Sequence, residues 1–194
     1  CTNLLFGQTS CFSSLSDFSF TSISNARCVE KGDFNEDGHQ DIVVGNFTTA
    51  VTNQMGICLG NGDGSFSAPT LFTSGRRPLA IKAYDFNGDA DLDLVVVNNF
   101  DHNVSIITGN GDGTFDAPVT YTTGTSSGPN GLELGDFNED GVIDLVVSVQ
   151  ATGSGFAYLQ GVAGGTFLAN VNSSMGTTPR SVTVGDYNGD LNLD

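Results

Sequence analysis

Residues 32–41 read GDFNEDGHQD, and the pattern returns as YDFNGDADLD at 84–93, GDFNEDGVID at 135–144 and GDYNGDLNLD at 185–194. The leading aspartates, Asp33, Asp85, Asp136 and Asp186, recur about every 50 residues. Self-similarity at that period marks a repeat architecture with one supersecondary unit per period.

The segments around each acidic copy read as strands. Before it come alternating stretches (PLAIKAYDF, GLELGDF, RSVTVGDY) in which Ile81, Leu132 and Val182 share a face with Ala83, Leu134 and Val184, the period-two pattern of a strand. After it come unbroken apolar runs, DIVVGN, DLVVVNN and DLVVSVQ, whose lack of alternation predicts burial on both faces. A third segment (MGICLG, HNVSIITG, GFAYLQG) leads into GNGDGSF at 60–66 and GNGDGTF at 109–115. Asn-Gly and Asp-Gly steps supply the positive φ of tight hairpins. A fourth segment follows, with Pro69 and Pro118 placing it at a sheet edge, where a missing N–H is tolerated. Four strands per period predict an all-β fold, a β-propeller of four-stranded blades. The expected division is a partial blade at 1–25, blades at 26–75, 76–125 and 126–175, and the start of another at 176–194. By this phasing the chain holds roughly four blades of a larger ring, which a longer chain or a second copy would complete.

Positions 1, 3, 5 and 9 of the acidic copy are Asp, Asn, Asp and Asp in all four repeats. Hard oxygens at that density suit Ca²⁺, which takes six to eight of them, and a main-chain carbonyl at position 7 adds another. Zinc is disfavoured, because no His/Cys set stands at ligand spacing, and Mg²⁺ keeps more of its waters. An EF-hand needs a bidentate Glu at position 12, where this chain has Val44, Val96 and Val147. The bland alternative is four plain Asx turns. Against it stands the repulsion among three carboxylates crowded together four times over.

DFNEDGHQDIVVGN and DFNGDADLDLVVVNN, followed by GNGDGTF, resemble the FG-GAP repeats of integrin α-subunit propellers and related surface proteins. The resemblance spans nearly the whole chain. It implies a calcium ion in the hairpin between the first and second strands of each blade, three to four per chain. The ligands it implies are Asp33, Asn35, Asp37, the His39 carbonyl and Asp41 in loop one. In loop two they are Asp85, Asn87, Asp89, Asp91 and Asp93, and in loop three Asp136, Asn138, Asp140, Val142 and Asp144. In loop four they are Asp186, Asn188, Asp190, Asn192 and Asp194. Ala90 and Leu191 stand where Gly is usual at position 6, and Asp91 where a small residue is usual at position 7, so a different turn is expected in loops two and four.

A formal charge of −16, from six basic and 22 acidic residues, repels phosphate backbones and disfavours nucleic acid. Four calcium ions would halve it. No apolar run approaches the ~20 residues of a membrane helix. The even set Cys1, Cys11, Cys28 and Cys58, with sequons at Asn46, Asn103 and Asn172, points to a secreted or cell-surface protein with disulfides. Cys28 and Cys58 fall on a first and a third strand, ~9.5 Å apart, too far to bridge. The opening residues 1–11, CTNLLFGQTSC, lack the basic start and apolar stretch of a signal peptide, so a mature, processed or fragmentary chain is expected.

The function expected from these features is a non-catalytic extracellular module for adhesion or ligand binding, its protein or glycan ligand unidentified. A propeller lectin is the alternative. Phe66, Phe115 and Phe167 recur as such sites require, although packing between blades is the simpler account. His102 beside Asp101 is the one acid/base candidate, at a strand-to-strand turn. No GxSxG nucleophile motif occurs.

Overall fold

The computed structural model describes residues 25–46, 54–150, 155–169, 171–174, 176, 178–190 and 192–193. Three four-stranded antiparallel sheets follow one another along the chain. Blade one comprises β1 (Ala26–Gly32), β2 (Asp41–Asn46), β3 (Gln54–Cys58) and β4 (Thr70–Thr73). Blade two comprises β5 (Pro78–Tyr84), β6 (Asp93–Asn98), β7 (Asn103–Ile107) and β8 (Val119–Thr122). Blade three comprises β9 (Pro129–Gly135), β10 (Asp144–Val149), β11 (Gly155–Leu159) and, outermost, β14 (Val171–Ser174), with a two-stranded ribbon, β12 (Gly161–Val162) and β13 (Thr166–Phe167), between them. Each sheet is an up-and-down meander, and β4 and β8, just after Pro69 and Pro118, lie at the edges. Among the described residues no helix is long and apolar enough to cross a membrane.

The unbroken apolar run of the second strand has a direct cause. All six residues of β6 are buried because blade two is packed on both faces. Leu94 and Val96 meet Val43, Met55 and Ile57 of blade one, while Val95 and Val97 meet Leu132, Leu145 and Val147 of blade three. Each such side chain contributes about 1.5–3 kcal/mol of burial, so the second strands are the main adhesive between sheets. The outer strands show the opposite pattern, with Leu71, Val119 and Val171 exposed.

In register, Gly32 faces Asp41, Tyr84 faces Asp93 and Gly135 faces Asp144. The nine-residue acidic stretches are therefore the hairpin connections between first and second strands. Residues 178–185 have no ladder partner among the described residues.

Candidate metal centres

Each acidic loop is knit by the same Asx-type hydrogen bonds. In loop one, Asp33 accepts from the Asp37 and Gly38 N–H groups at 3.1 and 2.8 Å. Asn35 donates to Asp37 at 2.9 Å, and Asp37 accepts from the His39 N–H at 2.8 Å. Loop two repeats this through Asp85, Asn87, Asp89 and the Asp91 N–H. Loop three does so through Asp136, Asn138, Asp140 and the Val142 N–H, and loop four through Asp186, Asn188, Asp190 and the Asn192 N–H. Asp194 lies outside the described residues. Positions 1, 3 and 5 are thus brought together in every loop.

Loop two differs from loops one and three by an added bond from the Gly88 N–H to Asp85 at 2.7 Å, and its backbone keeps their pattern. Loop one has positive φ at Glu36 (57°) and Gly38 (84°), loop two at Gly88 (83°) and Ala90 (80°), loop three at Glu139 (59°) and Gly141 (83°). Ala90 accepts the left-handed conformation because the Asp85 carboxylate holds its N–H at 3.0 Å. The strain is roughly 1–2 kcal/mol for a residue with a Cβ. For loop four, Gly189 is positive at 82°, and Leu191 lies outside the described residues.

Position 9 behaves differently from the other acids. Asp41, Asp93 and Asp144 are buried. One oxygen of each accepts the N–H of position 2, from Phe34, Phe86 and Phe137 at 2.8, 3.0 and 3.1 Å. The other accepts an N–H from the glycine that opens the third-to-fourth-strand turn, Gly60, Gly109 or Gly161, at 2.8, 2.9 and 2.7 Å. This aspartate therefore clamps two hairpins of one blade together. Burial, the first cause, and then the nearby Asp89 and Asp85 charges push the Asp93 carboxyl above its ordinary value against the pull of its two N–H donors.

Those glycines are functional positions that sequence reading missed. A Cβ at Gly60, Gly109 or Gly161 would collide with the main-chain oxygen of Gln40, Leu92 or Ile143. The signal was present, a Gly opening each third-to-fourth-strand turn 19, 16 and 17 residues after Asp41, Asp93 and Asp144, but the unequal spacing hides that its partner lies in another hairpin.

The same turns also reach across to the preceding blade. The Gly113 N–H donates to the Phe34 carbonyl at 2.9 Å, and Gly165 lies against Asn87. Phe115 sits edge-on to Phe34 at 5.7 Å and stacks on Phe72 at 4.5 Å. Phe167 meets Phe86 at 5.7 Å and Tyr121 at 5.6 Å. The recurring phenylalanines of blades two and three are therefore packing residues between blades.

No group of three His, Cys, Asp or Glu side chains converges as a ready metal cluster among the described residues. Position 9 points inward, which leaves the position 1 and 5 carboxylates, the position 3 amide and a main-chain oxygen on the exposed side of each loop. The donor chemistry nonetheless fits a hard cation. The two salt bridges among the described residues join Arg76 to Asp101 and Lys82 to Glu133 at 3.1 Å, so no Lys or Arg neutralises loops one to three. Acids even meet between loops, since a hydrogen bond to Asp91, followed by the Asp91 charge, pushes the Glu36 carboxyl up.

The other sequence candidates have structural partners. His102 accepts the Gly128 N–H through Nδ1 at 3.1 Å, and Asp101 accepts from Arg76 at 2.6 Å. Cys28 and Cys58 are free thiols on β1 and β3, and burial pushes Cys28 up to about 12. Cys1 and Cys11 lie outside the described residues. Asn103 accepts from Asn98 at 2.8 Å, and Ser105 of the same sequon is fully buried.

Repeated four-stranded meanders joined face to face, each with an acidic first hairpin, define a β-propeller module. The chain belongs to the FG-GAP-like repeat family, whose model matches residues 33–96 and 85–147. No curated relative matches the sequence. Among solved structures, it resembles the BBS1N chain of a crystal structure of BBS1N in complex with ARL6DN, soaked with lead. The TM-score is 0.58 at 18% identity, over 84% of this chain and 48% of that one. The chain thus spans about half the length of the solved propeller it matches.

Proposed function

We propose that the chain is a calcium-stabilised extracellular propeller module that binds a protein partner and carries out no chemistry of its own. The observation that carries the calcium reading is the cluster of Asp, Asn and Asp at positions 1, 3 and 5, held together in each loop with no Lys or Arg ion-paired to loops one to three among the described residues. The position 1, 3 and 5 side chains, the position 7 carbonyl and the position 9 aspartate would hold the ion. Bound there, it supplies positive charge to crowded carboxylates. In Asp41 and Asp93 the two backbone donors leave about two of four lone-pair sites for a metal.

A protein partner is favoured over a glycan between blades by the packing of Phe115 and Phe167. The gap between blades two and three, lined by Tyr84, Phe86, Ile143 and Phe167, measures about 20 Å³, room for about one water. The sequons at Asn46 and Asn172 support an extracellular setting. A thermal melt in millimolar calcium and then in chelator, with metal content per chain, tests the calcium reading. We expect three to four ions and a clear drop on chelation; an unchanged melt with no bound metal overturns it. The partner class is tested on a glycan array, where saturable binding would favour the lectin.

A further inference from the structure

Blade three differs from blades one and two where its acidic loop meets its own third strand. At the end of β11 the residues facing the loop are Tyr158 and, just past the strand, Gln160; their counterparts are Ile57 and Leu59 in blade one, and Ile106 and Thr108 in blade two. The Tyr158 hydroxyl donates to Asp144 at 2.8 Å, on the same oxygen that accepts the Phe137 N–H. Gln160 donates to Asp140 at 3.3 Å.

Counting lone pairs separates the loops. Asp41 and Asp93 each receive two N–H donors, whereas Asp144 receives three donors. About one lone-pair site is left on Asp144, against two on its counterparts. Asp140 also takes a side-chain donor from strand three, for which no counterpart bond occurs at Asp37 or Asp89 among the described residues.

We infer that Tyr158 and Gln160 act as a built-in neutral substitute for the cation, making loop three the weakest calcium site of the three complete blades. The inference rests on the calcium reading above and deepens it. Donors occupy oxygens that the metal would need, and they hold the apo loop together without it. Blade three then keeps its form at calcium levels that empty blades one and two.

Matched reporters exist, because the Gly38 and Gly141 N–H groups bond the position 1 aspartates of loops one and three at 2.8 Å each. The test is a calcium titration of the whole chain followed through these two amide NMR signals, for wild type, Tyr158→Phe and Gln160→Leu. The first variant keeps the ring packing, and the second installs the blade-one residue. The Gly141 midpoint should lie at higher calcium than that of Gly38, and Tyr158→Phe should lower it about tenfold while Gly38 stays in place. Gly38 responding while Gly141 ignores both variants, or loop three weakening in Tyr158→Phe, overturns this inference and leaves the calcium reading standing. Silence at both amides overturns the two together.

Discussion

Two hairpin connections in blades one and two draw on the same few residues and use them in opposite ways. The first-to-second-strand loop, DFNEDG or DFNGDA, gathers its carboxylates on the exposed side. The third-to-fourth-strand turn, GNGDGTF, closes on itself, with Asp112 accepting from the Thr114 N–H at 2.9 Å and from the Thr114 hydroxyl at 2.5 Å. Spacing makes the difference. Asp, Asn and Asp at every second position crowd oxygens that take only main-chain donors and their neighbouring amide, whereas a single Asp two residues before a Thr also takes that residue's hydroxyl. The turn is thereby free to act as a plug, and the loop becomes the socket that it enters.

Four substitutions or conditions would break or sharpen that contrast. The largest effect is expected from Asp93→Ala, which orphans the buried Phe86 and Gly109 N–H groups and uncouples loop from turn. We expect a loss of about 4 kcal/mol, read by urea unfolding in chelator so that metal plays no part. An unchanged midpoint would mean that the clamp is not needed. Phe167→Ala removes the plug's anchor between blades two and three and should cost about 3 kcal/mol; the blade-three strands should then lose hydrogen-exchange protection before those of blade one. Ala90→Gly should stabilise the chain by about 1 kcal/mol, because the left-handed turn of loop two no longer carries a Cβ. A destabilised variant would show that the Ala90 backbone is not strained.

The smallest effect belongs to the turn aspartates. Hydrogen bonds from Ser65 and Thr114 hold Asp63 and Asp112 below the usual carboxylate range. Their contribution is complete above the unfolded value of ~3.9 and disappears as pH falls through the lower folded value. In chelator, the melting temperature should decline slightly below about pH 4, and Asp112→Asn should flatten part of that decline. A profile identical to wild type would remove Asp112 from the account.

The strands and both hairpins were legible because each has a local signature. The run LVVV at 94–97 could only be a doubly buried strand, and GNGDG could only be a tight turn. The ligand pattern was legible as composition, but the division of labour within it was not. Nothing in the spacing of Asp93 from Asp89 shows that it faces inward toward Gly109, since that depends on a turn 16 residues away. The backbone of loop two was misjudged because residue preference at Ala90 yields to the Asp85 carboxylate holding its N–H. The contrast of Tyr158 with Ile57 and Ile106 was in plain view, yet its meaning needed the oxygen it bonds. The pairing of Gly113 with Phe34 joins two repeats, a relation that no single period contains.

That last contact gives the assembly a polarity. Each of the two turns that docks on the blade before it does so the same way round, as Gly113 does on Phe34 and Gly165 does beside Asn87. One period of sequence therefore encodes both halves of a joint, and copying a period in the gene yields a neighbour that already fits. Such a chain can lengthen or shorten by whole repeats without inventing a new interface.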